Sequence, residues 1–273
     1  MKFLKLYKFI PYLSYRDKIY KKAINELTAE NEICLKDIRL PIPSDKTGDY
    51  LYMSGIVESL WTYLLDSADN ELIYSLFPGY MEGPYEYKNI KLDDRDVVID
   101  AGANIGEFSA LASVKNCKAY AFEPMPYIID NYLSKTAEKY PDITICQYAL
   151  SDKRDTLDFI VHATDISASS YVMNPYIKEN GSHKIAVQAI DLDTFADKNN
   201  LPGVDFIKAD IEGAERYMLM GAKRVLKDFA PKLAICKYHL QDDPQVLREL
   251  ILDANPGYVI EERWKKMYAY VPE

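Results

Sequence analysis

The fold is decided by one stretch of sequence, Val97-Val-Ile-Asp-Ala-Gly-Ala-Asn-Ile-Gly-Glu-Phe-Ser109. An apolar strand ends at Asp100, a loop of small residues follows, and a helix begins near Ile105. Gly102 and Gly106 carry no side chain, so the backbone of this loop can approach a ligand at the carboxyl end of the strand. The stretch also fits an ordinary tight turn between strand and helix. Other features must therefore decide between a ligand-binding loop and an ordinary turn.

Short apolar runs alternate with helical ones from Asp96 onward, which is typical of a parallel sheet with crossover helices. The predicted strands of this sheet are Val97–Asp100, Ala119–Glu123, Ile143–Tyr148, Asp205–Asp210 and Lys232–Tyr238. Further strands are predicted at Thr156–Val161 and Lys184–Ile190, joined through an Asn180-Gly181 turn, and at Tyr258–Glu261 and Met267–Val271 as a hairpin at the sheet edge. The fold class is α/β, with a mostly parallel Rossmann-like sheet and an antiparallel edge hairpin.

Helical patterns dominate before residue 84. Ser14 is a predicted N-cap, and the apolar residues that follow it recur at four-residue spacing as far as Leu27. A second apolar stripe contains Ile56, Leu60 and Leu64, is widened by their neighbours, and suits packing against a larger body. We therefore expect residues 1–84 to form a helical cap for substrate selection or dimerisation, and residues 85–273 to form the ligand-binding domain.

Charge and composition narrow the classes of partner. The 273 residues include 33 Lys and Arg against 42 Asp and Glu, a net charge of −9 that argues against a nucleic-acid partner. No apolar run reaches the roughly 20 residues that span a bilayer, and the four scattered cysteines fit reduced thiols in cytoplasm. The basic and apolar residues 1–10 could place a short helix on an anionic membrane surface, but docking on the body or on a second subunit is favoured.

The second predicted strand supplies the discriminating residue. Glu123 ends this strand about 20 residues beyond the loop, where a ribose diol needs an acceptor. A nicotinamide dehydrogenase would share this pair of features. Its fingerprint, however, seats a pyrophosphate on the helix N-terminus, and here Asp100, Asn104 and Glu107 crowd that position. Such a site repels a pyrophosphate but accepts a sulfonium and an ammonium.

Five motifs in order resemble those of FkbM-type methyltransferases that use S-adenosylmethionine (SAM). They are Asp96–Ser109, Phe122-Glu-Pro124, Tyr148–Asp152, Asp205–Glu215 and Tyr238-His239, and the resemblance covers roughly residues 85–273. It implies a class I methyltransferase fold and methyl transfer to a hydroxyl of a sugar, glycoconjugate or natural product. It also implies that Asp100, Gly102, Asn104 and Gly106 line the methionine part of SAM, with Asp210 beside the methyl donor. Glu123 would face the ribose, and Tyr148 and Ala149 the adenine edge.

Three residues at strand ends are candidates for catalysis. Asp210 and Glu212 follow the fourth predicted strand and His239 follows the fifth, so all three should project toward the crevice. Methyl transfer requires the acceptor oxygen to be held in line and its proton removed, and His239 is the predicted general base. Asp210 would orient the acceptor or the sulfonium, whereas Glu212 could instead serve the dipole of the next helix. The three could also bind a divalent metal, although the spacing does not require one.

Other residues carry weaker signals. Tyr85-Glu86 is a candidate substrate contact, Tyr171 and Tyr176 are candidates for stacking on a sugar, and Asp243 before Pro244 predicts an N-cap rather than a ligand. The leading hypothesis is a SAM-dependent O-methyltransferase with a small-molecule or carbohydrate acceptor. The alternatives are a nicotinamide oxidoreductase and a catalytically silent, partner-binding protein of the same fold.

Overall fold

Seven strands form the central sheet in the computed structural model, which describes residues 24, 26–28, 31–47, 49–64, 82–161, 169–170 and 183–272. In order across the sheet they are β12 (Val259–Arg263), β13 (Lys266–Tyr270), β11 (Lys232–Cys236), β10 (Phe206–Ala209), β4 (Val97–Ala101), β5 (Lys118–Phe122) and β6 (Ile143–Cys146). Strands β4, β5, β6, β10 and β11 are parallel, and the antiparallel pair β12 and β13 closes one edge. The predicted α/β class, the five parallel strands and the edge hairpin are confirmed.

Helices cover both faces of this sheet, which explains why its strands are apolar throughout. All residues of β10, and all but the first residue of β4, β5 and β11, are buried. The helices are α1 (Tyr50–Leu64), α2 (Glu107–Val114), α3 (Pro126–Ile128), α4 (Ser134–Lys139), α5 (Leu192–Lys198), α6 (Glu215–Met220), α7 (Lys223–Asp228) and α8 (Asp243–Ala254). A π-helical turn, Ile129–Leu133, joins α3 to α4. Helices α1 and α2 pack in one core, and α5 to α8 pack in a second core on the opposite face.

A smaller sheet follows β6. Strands β8 (Asp155–Val161) and β9 (His183–Ile190) pair antiparallel, as predicted, and β9 also pairs in parallel with the short β7 (Ala149–Leu150). The sequence did not predict β7, because two residues are too few to show a period. The predicted Asn180-Gly181 turn lies outside the described residues.

The N-terminal part is not purely helical. Helix α1 is confirmed up to Leu64, but the helical pattern that was extended to Leu27 is wrong there, because Glu26–Leu27 is strand β1. It pairs antiparallel with β2 (Glu32–Leu35), which pairs with β3 (Ile38–Pro41). The predicted N-cap at Ser14 lies outside the described residues. Strands this short give too little alternation to outweigh a helical period.

This small sheet and α1 share a core with the central sheet. Ile33 and Leu40 are fully buried in the same cluster as Val98 of β4. The ring of Trp61 in α1 meets the ring of Trp264 edge-on at 5.3 Å between centroids. The described part of the N-terminal region is therefore packed on the central sheet and its helices through apolar contacts.

Helix α8 begins one residue earlier than the sequence predicts. The N-cap residue is Asp242, and Asp243 and Pro244 are the first two residues of the helix. The buried Asp243 carboxylate accepts from the backbone N–H of Leu240 at 2.8 Å and pairs with Arg216 at 2.6 Å. Asp243 thus fixes the turn into α8, and the prediction that it is the N-cap itself is wrong by one position.

The strand order reverses beside β4. The chain passes from β4 to β5 on one side, whereas β10 lies on the other side, so a crevice opens at the carboxyl ends of these strands. Within the described ranges, none of the helices is both long and apolar enough to cross a bilayer.

Candidate active site

A cleft of about 1000 Å³, its open mouth included, lies at the carboxyl ends of β4, β5 and β10. Its position is that of a small-molecule site in an α/β sheet. Among the residues that line it are Gly102, Asn104, Glu107, Glu123, Tyr148, Ala149, Lys208, Asp210, Glu212 and Tyr238. Seven of the ten predicted site residues are therefore brought to one cleft, and Asp100, Gly106 and His239 lie outside its lining.

The loop after β4 is shaped by backbone contacts. Gly102 has φ +74°, and a Cβ atom there would lie 2.0 Å from the carbonyl oxygen of Asp210. The N–H groups of Gly102 and Ala103 both donate to the carbonyl of Phe122 at 3.0 Å. Only glycine fits this close approach between the ends of β4 and β10.

Glu123 is held by two backbone donors. Its Oε2 accepts from the N–H of Asn104 at 3.1 Å, and its Oε1 accepts from the N–H of Met125 at 3.0 Å. Burial raises the pKa of this carboxyl to about 7, although both hydrogen bonds oppose the shift. The carboxylate is thus fixed in direction at the end of β5, on the lining of the cleft.

Asp100 lies beneath the loop and does not line the cleft. It is fully buried, its Oδ1 pairs with Lys208 Nζ at 2.9 Å, and its Oδ2 accepts from Ser109 Oγ at 2.6 Å. Lys208 Nζ also donates to the carbonyls of Ala101 and Gly102. Asp100 thus acts on the loop through Lys208, and its contact with the methionine part of SAM stays a prediction.

Lys208 is the residue that sequence reasoning missed. Lys208 lies within the motif Asp205–Glu215, but the sequence assigned it no role of its own. Its side chain is 1% exposed, and its ammonium joins β4 to β10. The nearby acidic groups, Asp100 first, raise its pKa although burial opposes this. A lysine inside the apolar run Phe206-Ile-Lys-Ala209 was the available signal, since a buried charge needs a partner.

Gly106 also serves packing. A Cβ atom on Gly106, which has φ +90°, would lie 2.9 Å from Leu133 and 3.0 Å from Thr136. Gly106 therefore allows α2 to pack against the α3–α4 segment, and its place beside the methionine part of SAM stays a prediction. Tyr148, in the connection from β6 to β7, and Ala149, the first residue of β7, do line the cleft.

Asp210 is fixed by a tyrosine from the segment before β4. The Tyr85 hydroxyl donates to Asp210 Oδ2 at 2.7 Å, and Lys266 Nζ lies 4.3 Å from the centroid of the Tyr85 ring. Burial would raise the pKa of Asp210, but His239 and two lysines outweigh it and lower that pKa. Tyr85, predicted as a substrate contact, thus positions Asp210.

The other candidates with weak sequence evidence are Glu86, Tyr171 and Tyr176. Glu86 pairs with Lys115 at 2.7 Å, so it ties the segment before β4 to α2. Tyr171 and Tyr176 lie outside the described residues.

His239 stands behind Asp210 and Glu212. Its Nε2 lies 3.5 Å from Asp210 Oδ1 and 3.6 Å from Glu212 Oε2, its Nδ1 lies 3.0 Å from Glu215 Oε1, and the side chain is 2% exposed. The convergence of Asp210, Glu212 and His239 follows from their positions at the ends of neighbouring parallel strands.

The charge of His239 differs from the expectation. Burial lowers its pKa, but the carboxylates of Glu215, Asp210 and Glu212 outweigh burial and raise that pKa to about 10. The imidazole of this arrangement is therefore protonated at neutral pH. The role of His239 as general base stays a prediction, but a ring that holds its proton and lies outside the lining of the cleft favours Glu212 for that role.

Glu215 orders the turn between β10 and α6. This buried carboxylate accepts from the N–H groups of Ile211 and Gly213, both at 2.9 Å, besides facing His239. Glu212 has φ +54° in the same turn, which turns its carboxylate toward the cleft. The sequence contained the signal in Asp210-Ile-Glu-Gly-Ala-Glu215, where the final acidic residue begins a helix.

The geometry agrees with a comparison to known protein families. Residues 100–260, more than half of the chain, match the methyltransferase FkbM domain. The chain therefore belongs to this family and has the class I methyltransferase fold. This membership sets the nicotinamide oxidoreductase alternative aside.

Two relatives show how far the likeness extends. The hexuronic acid methyltransferase AglP of Haloferax volcanii is 27% identical over 169 residues, which are 59% of this chain and 64% of that protein. The crystal structure of methyltransferase FkbM from Methylobacillus flagellatus KT has a TM-score of 0.52 at 18% identity, covering 96% of this chain and 59% of that chain. The chain thus spans less than two thirds of the length of either relative, and the second likeness concerns the fold alone.

Proposed function

We propose that the chain transfers a methyl group from SAM to a hydroxyl of a carbohydrate-type acceptor. One observation carries the proposal: a single cleft joins the loop at Gly102 and the carboxylate of Glu123 to the acidic residues Asp210 and Glu212. The first pair suits a nucleoside-type cofactor. The second pair suits a group that presents hydroxyls.

The charges along the cleft favour SAM over a phosphate-bearing cofactor. Lys208 is the sole cation among the described residues that line the cleft, and its ammonium is already paired with Asp100. Glu107 and Glu123 line the cleft, and a cationic ligand beside them would favour their ionised forms against the burial that raises each pKa to about 7. Acidic groups attract a sulfonium and an ammonium, whereas a pyrophosphate would meet no unpaired cation here. Glu123 would accept from the ribose hydroxyls, and Tyr148 and Ala149 would contact the adenine edge.

SAM supplies a methyl group that is already activated by its bond to a positively charged sulfur. The protein must therefore align the acceptor and take its proton. We propose that Asp210, fixed by Tyr85, orients the acceptor hydroxyl, and that Glu212 takes the proton. The acceptor oxygen forms the new C–O bond, the C–S bond breaks with its electron pair left on sulfur, and S-adenosylhomocysteine remains.

The acceptor class rests on the relative that acts on a hexuronic acid. A sugar of this kind offers several hydroxyls to the acidic side of the cleft. We propose that two regions select the acceptor or form a dimer contact. They are residues 1–84 and the segment between β8 and β9, residues 162–182.

A transfer assay with labelled methyl groups tests the proposal. The protein is incubated with methyl-labelled SAM and a panel of hexuronic acids, neutral sugars and their glycosides, and the product is identified by mass spectrometry. The proposal expects label on an acceptor oxygen and loss of transfer in Asp210→Asn. Transfer to nitrogen, or equal transfer by Asp210→Asn, would contradict it.

A further inference from the structure

His239 Nε2 faces one oxygen of Asp210 and one oxygen of Glu212 without a hydrogen bond to either. The distances of 3.5 Å to Asp210 Oδ1 and 3.6 Å to Glu212 Oε2 exceed those of good N–H···O hydrogen bonds. They are close to the spacing of two ligands that share one cation, since metal–ligand distances of about 2.0–2.2 Å place neighbouring ligands roughly 3.0–3.5 Å apart. One ligand atom from each of the three residues lies within 4.8 Å of the others.

The surroundings of His239 also suit a metal ligand. Neither ring nitrogen has a hydrogen-bond partner of good geometry, although the side chain is 2% exposed, and Nε2 is aimed between the two carboxylates. Its other ring nitrogen, Nδ1, faces Glu215, and Glu215 is itself fixed by backbone donors. A carboxylate behind a histidine is the arrangement that orients an imidazole toward a metal.

We propose that Asp210, Glu212 and His239 bind a divalent cation that accepts both oxygen and imidazole ligands, such as Mn²⁺. Two carboxylates and one imidazole, which must release its Nε2 proton to the solvent before it coordinates, leave coordination positions open. Asp210 and Glu212 line the cleft, so the open positions face the acceptor side. Given the proposed function, the ligand for these positions is a pair of neighbouring oxygens on the acceptor, which the cation would draw into place and make more acidic.

Manganese binding by the full chain tests this site. Chelator-treated protein is titrated with Mn²⁺, and the free ion is measured by electron paramagnetic resonance. We expect one Mn²⁺ per chain, and we expect Glu212→Gln and Asp210→Asn each to weaken binding about tenfold or more. Glu249→Gln, the same change on the exposed face of α8, is the matched control and should bind as the wild type does.

Calorimetry with S-adenosylhomocysteine on the same samples separates the two proposals. A wild type that binds S-adenosylhomocysteine but no Mn²⁺ overturns the cation site and leaves the proposed function standing. Equal Mn²⁺ affinity in the wild type, Glu212→Gln and Glu249→Gln also overturns the cation site. A wild type that binds Mn²⁺ at this site but no S-adenosylhomocysteine overturns the proposed function instead. Circular dichroism and thermal unfolding that match the wild type show that Glu212→Gln and Asp210→Asn are folded.

Discussion

The two sides of the cleft are built from different groups. On the β4–β5 side, the backbone sets the shape: a glycine at positive φ meets a neighbouring carbonyl, and backbone N–H groups hold Glu123. On the β10–β11 side, charged side chains set the shape, with His239 surrounded by three carboxylates. The backbone side should therefore control cofactor affinity, and the charged side should control turnover. Lys208 and Gly102 lie where the two sides meet.

The largest effect should come from removing the charge that joins the sides. Lys208→Met leaves Asp100 buried without its ion pair, which should lower the free energy of unfolding by about 3 to 5 kcal/mol. Denaturant unfolding measures it. Lys184→Met, which removes an exposed pair with Asp158, should cost less than about 1 kcal/mol. Similar losses in both variants would show that the buried pair does not hold the cleft together.

Gly102→Ala tests the backbone side directly. The added Cβ would overlap the carbonyl of Asp210 and would strain a residue at φ +74°, so the loop must move. We expect a loss of about 2 to 5 kcal/mol in stability together with loss of S-adenosylhomocysteine binding. Gly203→Ala is the matched control, because a Cβ there meets nothing within 4 Å. Unchanged cofactor affinity in Gly102→Ala would mean that the loop does not shape the cofactor site.

His239→Gln separates affinity from turnover. This variant removes the group that positions Asp210 and Glu212, so turnover should fall about tenfold to a hundredfold while S-adenosylhomocysteine affinity changes little. Steady-state kinetics and calorimetry on one preparation measure both. If affinity falls and turnover survives, His239 supports the cofactor side and the proposed division is wrong.

The smallest effect concerns pH. The pKa of Glu123 is raised to about 7, and ribose hydroxyls donate more strongly to its ionised form than to its neutral form, so cofactor affinity should fall as the pH drops through 7. The ionised fraction falls about tenfold between pH 8 and pH 6, and affinity should follow. Calorimetry across this range should show no such dependence in Glu123→Gln. Glu107→Gln should retain it; its loss there would assign the titration to Glu107.

Much of the backbone side could be predicted from the sequence. Strands β4 and β5 are apolar runs, and Gly102 and Glu123 stand at their ends, so order along the chain already placed them together. Asp100 could not be assigned in this way, because its partner Lys208 comes from a strand more than a hundred residues later. The small N-terminal sheet was missed because each of its strands is too short to show a clear period.

The charged side was predicted in its location but not in its chemistry. The ends of parallel strands brought Asp210, Glu212 and His239 together as expected. The protonation of His239 depends on Glu215 behind it, and this contact follows from the tight turn at Glu212 and Gly213. The hydrogen bond from Tyr85 to Asp210 could not be predicted, because it joins segments far apart in the chain. Tyr85 was therefore assigned to the substrate.

The central claim is that the cleft at Gly102 and Glu123 binds SAM, and competition calorimetry tests it most directly. The protein is titrated with S-adenosylhomocysteine in the presence and absence of NAD, alongside Glu123→Ala. The account predicts one S-adenosylhomocysteine per chain, no competition by NAD, and weaker binding in Glu123→Ala. Binding of NAD in preference to S-adenosylhomocysteine, or S-adenosylhomocysteine binding that is unchanged in Glu123→Ala, would contradict it.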